Sequence, residues 1–168
     1  RAKYRKGISS RKVILSKIAL SAFALDRVSS KNNLFVLKDR AIGQKARATA
    51  WRYQCPLLCY SYYAYKAFEE GDKRPSARFL FQVHPHPVSV RRILQEEIDL
   101  APQARASLLT EAELRYPDNI LEALSQEPHL GNGWITASRF TAQTLSENGI
   151  PSDQIHVVPY GVDPQEFP

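Results

Sequence analysis

Two histidines, His84 and His86, stand in the run Gln82-Val-His-Pro-His-Pro87, where an apolar, aromatic-rich segment meets a breaker sequence. Pro85 and Pro87 each fix φ, so the backbone between the imidazoles is stiff and can aim a ring with little ordering cost. A ring held in that way can hydrogen-bond a hydroxyl or a phosphate, or exchange a proton near neutral pH. The plainer alternative is a turn whose imidazoles cap backbone groups. Ser138-Arg139 is the second place where chemistry is expected. A helix beginning there offers free N–H groups and partial positive charge to an anion, and Arg139 adds a fork-shaped cation. Its plainer alternative is an ordinary N-cap beside a surface arginine.

Other chemistries find less support. His-x-His can serve zinc, but a site needs three or four ligands, and His129 and His156 lie in unrelated contexts. Cys55 and Cys59 are spaced as Cys-x-x-x-Cys and read as small packing residues on one face of a strand. No bound metal is expected. The chain has no Gly-x-Ser-x-Gly elbow, no phosphate-binding P-loop and no Gly-x-Gly-x-x-Gly fingerprint. Gly131-Asn-Gly133 reads as a tight turn ahead of a strand. Tyr53, Tyr60, Tyr62, Tyr63 and Tyr65 could be taken for a base-stacking surface. The spacing of Tyr62, Tyr65 and Phe68 instead suggests one apolar helix face, so nucleic acid is not the expected partner.

The elements that must position these residues follow from periodicity. Ile14, Leu15, Ile18, Ala22 and Leu25 give residues 12–28 a helical rhythm with basic residues between. Leu34–Leu37 is a short strand candidate, and the basic run to Arg52 suggests another helix. Pro56–Ser61 reads as a buried strand, followed by a helix through Tyr65 and Phe68 that stops at Gly71. Ala77–Val83 reads as a strand running into the histidine loop. Ser89 is the expected cap of the next helix, whose stripe is Val90, Ile93, Leu94, Ile98 and Leu100. A helix over 120–126, a strand at Trp134–Ala137, a helix from Ser138 to Asn148-Gly149 and a strand at Ile155–Val158 complete the chain. This alternation predicts an α/β fold, a mostly parallel sheet with helices on both faces. In such folds ligands sit at the carboxyl ends of the strands, which singles out His84, His86, Ser138 and Arg139.

Composition bounds the class. The 168 residues are 43% hydrophobic and 24% charged, as expected of one ordinary globular domain. No stretch reaches the ~18 uncharged apolar residues of a membrane span, no signal-peptide pattern is visible, and two cysteines make no disulfide framework. A cytoplasmic location is therefore expected. The net charge of +6 is uneven: residues 1–52 hold 14 Lys/Arg against Asp26 and Asp39, and residues 53–168 hold nine against 15 Asp/Glu. A basic front third of this kind can face phosphate, an anionic membrane surface or simply water. The sequence has no Met and opens at Arg1, as expected of a piece of a longer chain.

The run from Trp134-Ile-Thr-Ala-Ser138 through Gly149-Ile-Pro151 and Ile155-His-Val-Val-Pro-Tyr-Gly-Val-Asp163 resembles the end of the N-terminal domain of glycosyltransferase family 4. Phe79-Leu-Phe-Gln-Val-His84 is similar to the strand that in this family ends in an active-site histidine. The resemblance does not extend to residues 1–52. It implies half of a GT-B fold: a Rossmann-like acceptor-side domain, here 53–158, preceded by a basic part, 1–52, and leading at 159–168 into the interdomain hinge. It implies transfer of a sugar, with retention of configuration, from a nucleotide-sugar to a sugar or lipid-linked acceptor, without a cofactor or metal. His84 carries over as the catalytic histidine, with His86 as the substitute in a shifted register, and Pro159, Tyr160, Gly161, Val162 and Asp163 as the hinge; His86, Ser138 and Arg139, singled out above by position, are the residues expected to bind substrate. Tyr160 departs from the family's usual Asn. The diphosphate-binding basic residues and the paired glutamates belong to the family's second domain, so this chain alone is expected to be inactive. The rival reading is a non-catalytic α/β module whose basic arm binds nucleic acid or anionic surfaces.

Overall fold

The computed structural model describes residues 31–69 and 77–161, with side chains of the first helix described from Asp39 onward. The expected helix over 12–28, the stop at Gly71, and Val162 and Asp163 lie outside the described residues. Helix α1 (Lys31–Tyr53) leads into strand β1 (Leu57–Tyr60) and a single helical turn, α2 (Tyr65–Phe68). Strand β2 (Arg78–Gln82) is followed by α3 (Pro87–Leu100), the short turns α4 (Arg105–Leu108) and α5 (Ala112–Arg115), and α6 (Asp118–Gln126). A 3-10 turn (Glu127–Leu130) enters β3 (Gly133–Thr136), and α7 (Arg139–Glu147) returns the chain to β4 (Ile155–Val157). The protein is an α/β fold with four strands, all parallel, in the spatial order β1-β2-β3-β4.

Sequential order has a steric consequence. Parallel crossovers are right-handed, so consecutive strands laid side by side send every crossover to the same face. The core shows it: Leu80 of β2 and Trp134 of β3 pack with Ala64, Ala67 and Phe68 around α2 and with Leu145 and Ile150 around α7. Phe68, Leu80 and Leu145 are wholly buried. Each such side chain contributes about 1.5–3 kcal/mol. The opposite face is not covered by described residues: Leu58 is 58% exposed, Tyr60 59% and Phe79 37%. Of the two helical layers expected from the sequence, the described residues thus supply one. Pro56–Ser61, expected to be a buried strand, is buried on one face only.

Two further expectations change. Leu34–Leu37 belongs to α1 and not to a strand. Its four apolar residues are bounded by no Gly or Pro, and a short apolar run without breakers carries no signal that separates strand from helix. Cys55 lies ahead of β1 and is exposed, so only Cys59 packs against the core. Burial, with the carboxylates of Glu127 and Asp39 behind it, pushes the Cys59 thiol up to about 12. Helix α1 closes on α2 at Gly43, where a Cβ would stand 2.6 Å from the Ala67 backbone nitrogen. Only a glycine permits that approach.

The turn between β1 and α2 is held from a distance. Glu127 is 2% exposed and accepts three backbone N–H groups: Tyr62 at 2.6 Å on Oε1, Ala64 at 2.7 Å and Tyr65 at 2.9 Å on Oε2. Burial pushes its carboxyl up to about 7 against the pull of those donors, and Asp39 adds to the rise. A carboxyl raised above its unfolded value stabilises the fold fully below about pH 4.5 and loses that contribution as pH rises through about 7. Replacing Glu127 with Ala strands three donors, at about 1–3 kcal/mol each when buried. The variant is expected to lose at least about 3 kcal/mol in urea unfolding, whereas Glu127→Gln should keep part of the stability and flatten the fall between pH 5 and 8. A Glu127→Ala midpoint equal to wild type would refute the clamp.

Candidate functional site

The carboxyl ends of all four strands meet along one edge of the sheet. Register sets their levels: Gln82 pairs with Thr136, and Thr136 with Val157. His84 and Ser138 therefore each stand two residues beyond paired positions of adjacent strands, with Pro159 at the same level on β4. The loop after β1 continues the row through Ser61, whose hydroxyl accepts the Val83 backbone N–H at 3.2 Å.

His84 is exposed at this edge and is approached from two sides. The Gln82 side-chain amide donates to the His84 carbonyl at 2.7 Å, which ties the loop to the strand that precedes it. The Tyr62 ring meets the imidazole edge-on, with centroids 5.0 Å apart and planes at 77°. That arrangement sets a ring edge against a ring face, a preferred geometry for such a pair.

Tyr62 is the residue the sequence reading misplaced. It does not share a helix face with Tyr65 and Phe68; it sits in the loop ahead of α2 with φ of 73°. A bulky residue in left-handed backbone is uncommon and persists only where its surroundings over-determine it. Here they do. Its N–H goes to Glu127, its hydroxyl donates to Glu113 Oε1 at 2.6 Å, and its ring neighbours Tyr116 at 6.5 Å. Burial and the Glu113 carboxylate keep the phenol protonated far above its ordinary range. Tyr116, beside it, is likewise held up by burial and Glu113.

His86 takes the capping role. It is 2% exposed, and it, not Ser89, is the N-cap of α3, with Pro87 in the first turn. The Val88 N–H donates to His86 Nδ1 at 3.4 Å, and Nε2 lies 3.3 Å from the Ser125 carbonyl. The pair of contacts matches the Nε2–H tautomer, and burial lowers the pKa against the pull of the Ser125 carbonyl. Its backbone N–H donates to Thr144 Oγ1 at 3.0 Å, joining the loop to α7. Both ring nitrogens are spent on the backbone, so His86 fixes the loop and offers nothing to a substrate. Ser89 is buried and receives the Asn148 side-chain amide at 2.9 Å.

Ser138 is the N-cap of α7, as its position predicts: its Oγ accepts the Thr141 N–H at 3.0 Å. Arg139 is exposed in the first turn and forms no ion pair among the described residues. Of the residues expected to form a hinge, Pro159, Tyr160 and Gly161 are exposed, and the Tyr160 ring leans on Phe81 at 6.4 Å across the sheet face that no described helix covers. No group of three or more His, Cys, Asp or Glu side chains suited to a metal occurs among the described residues.

The two histidines, alike in sequence, are expected to separate in measurement. His86→Ala removes a cap and a buried ring and should cost about 2–4 kcal/mol in urea unfolding. His84→Ala should stay within about 0.5 kcal/mol of wild type, because an exposed ring supports little. Equal costs for the two would contradict the assignment.

No protein-family model, curated protein or solved structure matches the chain.

Proposed function

We propose that this chain is the acceptor-side domain of a retaining, family 4-like glycosyltransferase, with His84 as the active-site histidine. One observation carries the reading. An exposed imidazole stands at the carboxyl end of a central parallel strand, where α/β sheets bind ligands, and its loop is anchored at both ends. An imidazole held there can orient a sugar hydroxyl in the geometry of transfer. Arg139, at the start of a nine-residue helix one strand away, offers positive charge to a phosphate on the donor or acceptor. No helix among the described residues is long and apolar enough to cross a membrane. A cytoplasmic enzyme with peripheral contact to anionic lipid, made through its basic front third, accords with that and with a lipid-linked acceptor. The reading calls for no cofactor or metal beyond the nucleotide-sugar itself.

The test uses the 168-residue chain with a short-chain polyprenyl-phosphate sugar as acceptor analogue and UDP-glucose and GDP-mannose as donors. Saturable acceptor binding is expected, and His84→Ala should weaken it about tenfold, or 1.4 kcal/mol, without moving the unfolding midpoint. Neither donor should release nucleoside diphosphate. Acceptor binding indifferent to His84→Ala would overturn the role given to His84. Steeply salt-dependent oligonucleotide binding in its place would favour the non-catalytic basic module.

A further inference from the structure

Two carboxylates hold Tyr62, the residue that braces His84, at its opposite ends. Glu127 takes the backbone N–H at 2.6 Å and so fixes where the chain turns. It does not fix where the ring points, because a side chain can change rotamer about a backbone that stays still. Ile120, Leu124 and Tyr116 pack with the ring, but apolar contact is non-directional. Direction comes from the far end, where the phenol donates to Glu113 Oε1 at 2.6 Å. A hydroxyl-to-carboxylate bond of that length is charge-assisted and roughly twice as strong as a neutral one. Burial, and after it the bond to Glu113, keeps the phenol protonated and therefore a donor.

Glu113 can act as a fixed point because of where its element sits. It is half-buried on α5, a single helical turn that packs on α3. Helix α3 is begun by His86, two residues after His84. The contacts therefore close a circuit. It runs along the chain from His84 to His86, through α3 to α5, from Glu113 to the Tyr62 hydroxyl, and from the Tyr62 ring back to His84. The imidazole is thereby referenced to the helix that its own loop starts. We infer that Glu113 is a positioning residue for His84, acting through the Tyr62 ring. With the carboxylate in place the imidazole keeps one angle to the strand edge; without it the ring that braces the imidazole is free to turn. The use of that placement in sugar transfer rests on the reading of His84 given above, whereas the placement itself does not.

The test follows the imidazole proton resonances of His84 and His86 in the isotope-labelled 168-residue chain. The Tyr62 ring current displaces the His84 signals from their positions in the unfolded chain. Glu113→Ala is expected to remove at least half of that displacement and to leave the signals of the buried His86 where they are. Tyr62→Phe keeps the aromatic ring and deletes only the hydroxyl; it should do the same, and it serves alone if Glu113→Ala does not fold. Glu113→Gln retains an acceptor and should keep most of the displacement. A role confined to stability would lower the unfolding midpoint and move neither histidine, or both together. Either of those patterns, in the variants that fold, would overturn the assignment. The signals are read without acceptor, so failure of the wild-type chain to bind polyprenyl phosphate would count against the transfer reading alone.

Discussion

Three backbone N–H groups within the four residues Tyr62–Tyr65 converge on one carboxylate that lies more than sixty residues along the chain. Glu127 does for this turn what an N-cap side chain does for a helix, but from another element and for three donors at once. A turn buried beneath a sheet edge has no water to satisfy its backbone, so without this carboxylate the loop after β1 could not lie where it does. Much rests on its lying there. It starts α2, whose Ala67 and Phe68 fill the core under Leu80, and it holds Tyr62 in left-handed backbone beside His84. The arrangement is expensive for the carboxyl itself, which burial pushes toward neutrality. The three donors offset that cost, and the site inherits a rigid wall.

The sheet shows a second constraint. All-parallel sheets need both faces covered, and their strands accordingly run apolar on both sides. That is true here: Leu58, Tyr60, Phe79 and Phe81 alternate with Leu57, Cys59 and Leu80. Crossover handedness places the described helices on the Leu80 side, and the Tyr60–Phe81–Tyr160 contacts lie on the other. Gly133 belongs to the same face, where a Cβ would meet the Phe79 ring at 2.9 Å. The ring fills the space a side chain would have taken.

How much was legible in the sequence depended on how local the determining physics was. Strands β2 and β3 announce themselves by composition and by their flanking breakers, and Ser138 caps the helix its position predicts. Asn148-Gly149 ends that helix because Gly149, at φ of 90°, supplies the left-handed residue the terminus needs. The failures were non-local. Glu127 looks like any charged residue near the end of α6, and nothing near it in sequence says that its partners are Tyr62, Ala64 and Tyr65. Tyr62 fitted a helical spacing that a one-turn helix never reaches. Ser89 was the expected cap, and the role fell instead to His86, the residue before Pro87, whose extended backbone is what an N-cap requires.

Among the described residues His84 has position and no proton relay. The two carboxylates that meet the neighbouring Tyr62 are engaged by it, Glu113 by its hydroxyl and Glu127 by its backbone N–H. Among the described residues no acid fixes its tautomer in the way a catalytic triad fixes its histidine. Its neighbours supply an aromatic edge and a tied carbonyl, which restrict where the ring lies and leave its nitrogens open to a ligand. A histidine so placed suits the orientation of a hydroxyl in a reaction driven from elsewhere more than the activation of a nucleophile on this chain. The pairing of a buried, neutral, capping His86 with an exposed, aromatic-braced His84 divides the labour of the loop: one imidazole spends both nitrogens on holding the backbone, so that the other need spend neither.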